Sequence, residues 1–325
     1  MRWYLVVTLA FTLAFLYLQG CAKPQIVAPA PKAETEFQSA PRPAKKTPPM
    51  DVVILVSENI PAYTQVANEL AKLLDQQGTV QLLTGSRLKN IQIISQIKKK
   101  EHTQFVSIGL NATIAAKSLS KNQLVFCQVY NYQDYALISP MHKGVSMLPS
   151  LNRTFSTWRA LSPTITDIGV ISGPGQSDAI KTAKIAARSF GITLHHAVVK
   201  SDKEYQYAYK KLGKIVQGYW LLPDNRVLSE NTLRDIMNFS VRNSKQVAVF
   251  SQELLKLGGL LSINSDYKDI AQQVYERLQQ AQTSDTVTGP DIVYLEKMNL
   301  RINSIMAHNL DIDIPAQYRK YANAP

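Results

Sequence analysis

Nine residues of this 325-residue chain combine ligand-binding side chains with favourable positions. Each follows or closely adjoins a short apolar run typical of a β-strand, and ligands of open α/β sheets gather beyond the carboxyl ends of strands. Helices that begin there also direct free N–H groups outward. The nine residues are Ser57, Asn59, Asn111, Thr113, Tyr130, Tyr132, Ser172, Asp224 and Asn225, and the same rule reaches Ser251 and Gln252. Serine, asparagine and aspartate are also common as caps and turn formers, so that alternative stays open.

Two of these positions indicate a particular ligand chemistry. Tyr130 and Tyr132 could hold a flat or apolar group, because tyrosine rings bury a large area at small entropic cost. The carboxylate of Asp224 could pair with a ligand ammonium, and as an exposed turn residue it would contribute little to folding. Alternatively, the tyrosines pack into the domain around Asn131, and Asp224 forms an ordinary turn after Pro223.

Motifs for catalysis, metals or cofactors are not evident. The Ser-x-x-Lys spacing occurs at Ser95 and Ser118, without the Ser-Asp-Asn and Lys-Thr-Gly motifs that accompany it in penicillin-recognising enzymes. Neighbouring His195 and His196 would point to opposite faces of a strand and could not share a metal ion. Cys127 lies in an apolar run, which predicts a buried free thiol. We therefore expect no enzymatic activity, no metal and no cofactor.

The pattern of apolar runs predicts the elements that carry these residues. From Asp51, strands alternate with amphipathic helical stretches to about residue 129, and the alternation resumes from about 168 to 250 after a loop-rich stretch. Strands that alternate with helices indicate parallel sheets covered on both faces. The fold class is therefore α/β, with two Rossmann-like lobes and a hinge cleft between them.

The first 50 residues carry a targeting signal. Residues 1–20 combine a positive start with an apolar stretch that ends directly before Cys21, which predicts a signal peptide. The junction resembles a bacterial lipobox, which implies cleavage before Cys21 and lipidation of that cysteine. An uncleaved membrane helix is the alternative. Residues 21–50 are rich in proline and predict an extended tether. If the host has an outer membrane, Ala22 after the cysteine favours that membrane by resemblance to lipoprotein sorting.

The chain is basic, with a formal net charge of +12. Its basic residues are scattered and do not form a motif interleaved with aromatic residues, so no nucleic-acid partner is expected. Attraction to anionic lipid head groups or to cell-wall polymer would suit the charge. Simple solubility also explains the charge, and it is the explanation that we favour.

Several segments resemble one protein family. They are Gly169-Val170-Ile171 followed by Ser172-Gly173-Pro174-Gly175-Gln176-Ser177-Asp178-Ala179, then Leu222-Pro223-Asp224-Asn225, Val247-Ala248-Val249-Phe250-Ser251, Gly258-Gly259-Leu260-Leu261-Ser262 and Asn309-Leu310-Asp311-Ile312-Asp313-Ile314-Pro315. Together they resemble the substrate-binding lipoproteins of ABC importers related to the tryptophan- and aromatic-amino-acid-binding proteins. The resemblance implies a type I periplasmic-binding-protein fold. It also implies a lobe one of residues 51–146 plus 264–300 and a lobe two of residues 147–263 plus 301–325.

The family resemblance implies a lipid-anchored solute-binding protein in the cell envelope, facing the periplasm. Its partners would be a small-molecule ligand such as an amino acid, the membrane through the lipid anchor, and an ABC permease. The alternative is an outer-membrane accessory lipoprotein that uses the same fold as an interaction module for an envelope complex. Ala22 and the long tether favour that alternative, because an importer's receptor must reach the inner membrane. Tyr130-Asn131-Tyr132 favours it too, since it stands where the family has a Thr-Asp-Pro-like turn.

Overall fold

The structure is a computed structural model that describes residues 51–75, 78–83, 87–97, 104–119 and 121–324. The predicted signal peptide (1–20), the predicted lipidation site Cys21 and the predicted tether (21–50) lie outside the described residues. Within the described ranges, no helix is both long and apolar enough to cross a membrane.

One sheet has six strands among the described residues, in the order β11-β5-β4-β3-β1-β2, with all neighbours parallel. The strands are β1 (Val52–Val56), β2 (Gly78–Leu82), β3 (Gln104–Ile108), β4 (Leu124–Cys127), β5 (His142–Val145) and β11 (Ile292–Val293). Its helices are α1 (Pro61–Leu73), α2 (Arg87–Ile97), α3 (Leu110–Ala116) and α8 (Tyr267–Ala281). We call this sheet and its helices lobe one.

The second sheet has seven strands in the described part of the chain, ordered β13-β12-β10-β9-β8-β6-β7. Its neighbours are parallel except for the antiparallel pair β10 and β12. The strands are β6 (Asp167–Ser172), β7 (Thr193–Val198), β8 (Gly218–Trp220), β9 (Gln246–Val249), β10 (Leu261–Asn264), β12 (Asn299–Asn303) and β13 (Ala322–Asn323). The helices are α4 (Leu151–Leu161), α5 (Ser177–Arg188), α6 (Asp202–Leu212), α7 (Glu230–Arg242) and α9 (Ser304–Asn309). This sheet and its helices form lobe two.

Strand β1 lies inside lobe one because both faces of the sheet are covered there. In β1, Val52, Ile54 and Val56 pack with α1 and α8 on one face of the sheet. Val53 and Leu55 pack with α2 and α3 on the other face. Such a strand is apolar throughout because both of its faces are covered. The predicted α/β fold class is confirmed.

The loop-rich stretch predicted between the two alternating runs is wrong in part, because it contains β5 and α4. Helix α4 buries Leu151, Phe155, Trp158 and Leu161 at intervals of three and four residues, the spacing of one helix face. The indole N–H of Trp158 also donates a 2.7 Å hydrogen bond to the side-chain oxygen of Gln246. The helix therefore closes one face of lobe two.

The chain crosses between the lobes after β5, after β10 and before β12, and these crossing segments contact one another. The Ser265 hydroxyl donates to the carbonyl of Met147. The buried carboxylate of Asp269 accepts 2.9 Å hydrogen bonds from the backbone N–H groups of Glu296 and Lys297. The crossings therefore form a shared hinge region, while the predicted lobe boundaries stay a prediction.

Arg277 of α8 ties together the end of lobe one that carries β5 and β11. Its buried guanidinium donates to the carbonyls of Gly144, Thr288 and Pro290 at 2.6–3.0 Å.

We expect Arg277→Leu to lower the free energy of unfolding by about 3 kcal/mol, because three carbonyls lose their donor. Urea denaturation measures the change, and Arg153→Leu on an exposed position of α4 is the control. Equal losses in both variants would contradict this role.

Candidate functional site

A cavity of about 470 Å³ lies between the two lobes, where several strands of both sheets end. Lobe one contributes the start of α1 and the residue after β4, and lobe two contributes the segments after β8 and β9. The crossing segments complete the wall. The lining residues are Ala62, Gln128, Met147, Leu148, Pro149, Trp220, Leu221, Leu222, Pro223, Phe250, Ser251, Gln252, Glu253, Ile263, Asn264, Ser265, Tyr267 and Asn299.

The lining of this interlobe cavity combines aromatic rings with neutral hydrogen-bonding groups. Trp220, Phe250 and Tyr267 supply the rings, and amides and hydroxyls from both lobes and the hinge supply polar contacts. Glu253 is the one charged residue among the described lining residues. The Ser251 hydroxyl donates a hydrogen bond to the carboxylate of Glu253 and lowers the pKa of that carboxylate. Such a wall suits a small molecule with an apolar part and a cationic or hydrogen-bonding part.

Gln128 forms part of the lobe-one wall of the cavity and has an uncommon backbone conformation. It directly follows β4, is buried, and has a φ of +57°, in the left-handed region that few side chains adopt. Its amide donates a 3.3 Å hydrogen bond to the carbonyl of Ala62 at the start of α1. The contact fixes the lobe-one wall of the cavity, and a strained backbone of this kind is often found at binding sites.

A second meeting point of the lobes is an ionic bridge. The carboxylate of Asp224 is 2% exposed and accepts hydrogen bonds from the Gly173 N–H at 2.8 Å and from two guanidinium nitrogens of Arg226 at 2.7 and 2.8 Å. The hydrogen bond to Asp224 raises the pKa of Arg226. The third guanidinium nitrogen pairs with Asp134 of lobe one. We call Asp134, Arg226 and Asp224 the interlobe bridge.

Neighbouring contacts close the cleft beside the bridge. The side chain of Gln176 donates to the carbonyl of Tyr130 at 3.1 Å, and the amide of Gln133 pairs with Asp178. The Tyr294 hydroxyl lies 3.2 Å from that of Thr182. The first two contacts join the loop after β4 to the start of α5, and the third joins the segment after β11 to the middle of α5. The lobes therefore touch along one side of the cleft and leave the cavity along the other.

The two predicted tyrosines lie on the closed side of the cleft. Both line a gap of about 10 Å³ together with Tyr294 and Gln176, room for about one water molecule. Burial, with the nearby charge of Asp224, raises the pKa of Tyr130 well above its usual value. The hydroxyl of Tyr130 is buried and has no hydrogen-bond partner among the described residues. The structure thus places Tyr130 close enough to Asp224 for the charge of the carboxylate to act on the tyrosine hydroxyl.

Three other predicted residues are bonded within a single lobe. Ser57 accepts a 2.8 Å hydrogen bond from the Ala112 N–H, and Thr113 donates to the carbonyl of Gly109 at 2.8 Å. The Ser172 hydroxyl lies 2.9 Å from Nε2 of His196. Burial, together with the charge of Lys184, lowers the pKa of His196 to about 4.

The remaining predicted residues Asn59, Asn111 and Asn225 are exposed at the ends of elements. None of the nine predicted residues lines the interlobe cavity, and their ligand role stays a prediction. The expectation that Asp224 is an exposed turn residue is wrong, because Arg226 follows it closely enough to fold back and cover it. Ser251 and Gln252, which the strand-end rule reaches, do line the cavity.

Sequence reasoning missed Gln128 and Tyr267, although both stand directly beside an element boundary. Gln128 is the first residue after an apolar strand, which is the signal that could have found it. Within the described ranges, no group of three or more His, Cys, Asp or Glu residues is placed to hold a metal ion. The thiol of Cys127 is buried and free, and burial raises its pKa.

Two α/β lobes joined by three crossings, with a cavity at the strand ends, define a two-lobed binding protein of the type I periplasmic-binding-protein fold. The chain belongs to the ABC transporter substrate-binding protein family, whose model matches residues 75–324. The family predicted from short sequence segments is therefore confirmed. Among curated protein sequences, none matches the chain significantly.

Solved structures share the fold at low sequence identity. A substrate-binding protein with adhesive properties from Clostridium difficile, in a ligand-free, open structure, has a TM-score of 0.62 at 14% identity, covering 84% of this chain and 98% of its own. An ABC domain from Streptococcus pneumonia in complex with L-Trp has a TM-score of 0.56 at 18% identity, covering 84% and 99%. A conserved domain protein from Vibrio cholerae has a TM-score of 0.56 at 19% identity, covering 85% and 99%.

The interlobe bridge generates a prediction about stability. We expect Arg226→Gln to cost about 3 kcal/mol of unfolding free energy, because the buried carboxylate of Asp224 loses its ionic partner. Arg234→Gln is the matched control, since it breaks an exposed ion pair with Glu230 and should cost about 0.5 kcal/mol. Chemical denaturation of both variants measures the difference. Similar costs would show that the bridge is no stronger than a surface pair.

Two glycines test the close approach of the lobes. Both Gly175 and Gly191 have a positive φ, but a Cβ at Gly175 would lie 1.9 Å from a carboxylate oxygen of Asp134, whereas a Cβ at Gly191 meets nothing within 4 Å. We expect both alanine variants to lose about 1–2 kcal/mol from backbone strain. Only Gly175→Ala should push the loop around Asp134 away, because of the added contact. Hydrogen exchange of amides 130–136 should therefore quicken in Gly175→Ala alone, and equal exchange in both variants would refute the close approach.

Proposed function

We propose that this protein is the lipid-anchored solute-binding component of an ABC importer, and that it binds a small ligand in the interlobe cavity. One observation carries the proposal: the cavity wall is made by both lobes and by the crossing segments between them. A molecule bound there contacts both lobes at once. The family to which the chain belongs supports the transport context.

The proposed mechanism is closure of the lobes around the ligand. Gln128 lies on the lobe-one side of the cavity, and Phe250 and Gln252 lie on the lobe-two side. A ligand gains both sets of contacts only when the lobes are together, so binding shifts the population toward the closed form. The interlobe bridge adds to the stability of that form, since Arg226 pairs with Asp134 across the cleft.

The lining favours an amino acid as the ligand. An aromatic or aliphatic side chain would contact Phe250 and Tyr267, and its ammonium would pair with Glu253. The structure from Streptococcus pneumonia contains L-Trp, which makes aromatic amino acids the first compounds to screen. Asp224 stays a candidate partner for an ammonium only if Arg226 leaves it, because the guanidinium now occupies both carboxylate oxygens.

We further propose that Cys21 carries the lipid anchor in the cell envelope and that residues 21–50 tether the binding lobes to it. Two or more acyl chains hold a protein at a membrane without any spanning helix. An ABC permease would then receive the ligand from the closed lobes. Metabolic labelling with a radioactive fatty acid, compared between the natural chain and Cys21→Ala, tests the anchor.

Ligand screening by thermal shift tests the binding function. We expect an amino acid present at about 100 times its dissociation constant to stabilise the protein by about 2.7 kcal/mol. Glu253→Gln should weaken binding of that compound at least about tenfold, because a charged hydrogen bond contributes about 1.5–3 kcal/mol. Glu230→Gln on α7 is the matched control, since its exposed carboxylate does not line the cavity.

Each result of the screen decides between functions. Unchanged binding in Glu253→Gln would contradict the pairing of the ligand with Glu253. A screen of amino acids, peptides and nucleosides without any stabilising compound would contradict ligand binding. The envelope interaction module would then be the better account of the fold.

A further inference from the structure

A basic groove runs along lobe two from the loop that begins α5 to the edge of the sheet, and none of its described lining residues lines the interlobe cavity. It is an open hollow of about 660 Å³ between helix α5 and strand β7. We define the basic groove by Lys181, Lys184, Ile185 and Arg188 of α5 and by His196 and Val198 of β7. These α5 residues recur every three or four positions, so they form one stripe along the helix.

The basic groove combines positive charge with exposed aliphatic surface. Ile185 is 59% exposed and Val198 is 58% exposed, so two aliphatic side chains of the groove are open to solvent. No Asp or Glu is among the described residues that line the groove. Across the described part of the chain, Lys181, Lys184 and Arg188 take part in none of the ion pairs. Lys181 and Arg188 are exposed and Lys184 is half-buried, and the described residues place no carboxylate in an ion pair with any of the three.

Among the described residues, no ion pair with a neighbouring element neutralises this charge. The nearest acidic residue on α5 is Asp178, and its carboxylate pairs with Gln133 of lobe one. His196 supplies no negative charge to the groove, and its imidazole contacts the hydroxyl of Ser172. Strand β7 is also the outermost strand of its sheet among the described residues. The basic groove thus lies at the edge of the sheet, and its positive charge favours binding of an anionic partner.

We propose that the basic groove docks lobe two on the anionic phospholipid surface of the membrane that carries the protein. Cations reach lipid phosphates, while exposed aliphatic side chains enter the boundary between head groups and acyl chains. Ile185 between Lys184 and Arg188 reproduces that pairing on one helix face. The scattered net charge of +12 helps to attract the same surface.

Because the protein is tethered, even a weak affinity of the basic groove for the membrane is sufficient for docking. This step rests on the proposed lipid anchor at Cys21, which holds the lobes within reach of the membrane at all times. A tether of residues 21–50 at about 3.1 Å per residue could extend roughly 90 Å. The membrane is then present at a high effective concentration, so a few contacts can hold the groove against it. Docking by α5 would also leave the interlobe cavity open, because none of the groove-defining residues lines that cavity.

Lysine footprinting tests the docking. The full chain is incorporated into vesicles of phosphatidylcholine, alone or with phosphatidylglycerol, and acetylation of lysines is followed by mass spectrometry. We expect Lys181 and Lys184 to react several-fold more slowly with phosphatidylglycerol present. Lys210 and Lys211 on α6 are the internal controls, since α6 packs on the opposite face of the sheet from α5. Their rates should not change.

A pair of charge-matched variants sharpens the test. Lys184→Glu with Arg188→Glu should abolish the protection of Lys181, whereas Lys210→Glu with Lys211→Glu should leave it intact. Equal acetylation of Lys181 in both kinds of vesicle would overturn the proposal. Protection of Lys181 by soluble polyglutamate in phosphatidylcholine vesicles, to the same degree as by phosphatidylglycerol, would also overturn it in favour of an acidic protein segment. A chain that fails to enter phosphatidylcholine vesicles contradicts the anchor alone.

Discussion

The buried carboxylate of Asp224 is the constraint around which the cleft is organised. A carboxylate that is 2% exposed must find partners inside the protein, because its desolvation is expensive. The Gly173 N–H and the guanidinium of Arg226 supply them and so tie the end of β6 to the segment after β8. The guanidinium has one nitrogen left, and it reaches Asp134 on the other lobe. The guanidinium that compensates the charge of Asp224 thereby also forms a contact between the lobes.

The cleft consequently has two parts with different physics. On the bridge side, charged and polar groups meet directly, and the remaining gap has room for about one water molecule. On the other side, the same strand ends and the hinge segments leave about 470 Å³ lined by aromatic and amide groups. The bridge supplies part of the closing energy before any ligand contributes. A ligand in the cavity then has to add only the remainder, which is the condition under which modest binding shifts the lobe population.

Much of the fold follows from the sequence because its strands are buried on both faces. Continuous runs such as Val52–Val56 can be recognised without knowledge of their partners. Helix α4 is different: Thr154, Ser156 and Thr157 stand among its apolar residues in the sequence, and they are weak helix formers. Strand β5 was missed because its sequence, His-Lys-Gly-Val, is not an apolar run. Its pairing with β4 and β11 is visible only in the structure.

The site was harder to predict than the fold, since position after a strand does not say which way a side chain turns. Ser57 and Thr113 do follow strands, yet they bond to the backbone of their own lobe. Asp224 was predicted as an exposed turn, and its burial depends on a neighbour two residues along that folds back in three dimensions. The central claim, that Arg226 holds the lobes together, is tested most directly by the distance between spin labels at exposed Gln65 of α1 and Lys203 of α6. With Arg226 in place, one narrow distance distribution is expected, and Arg226→Gln should add longer distances. An identical distribution in the two proteins would contradict the claim.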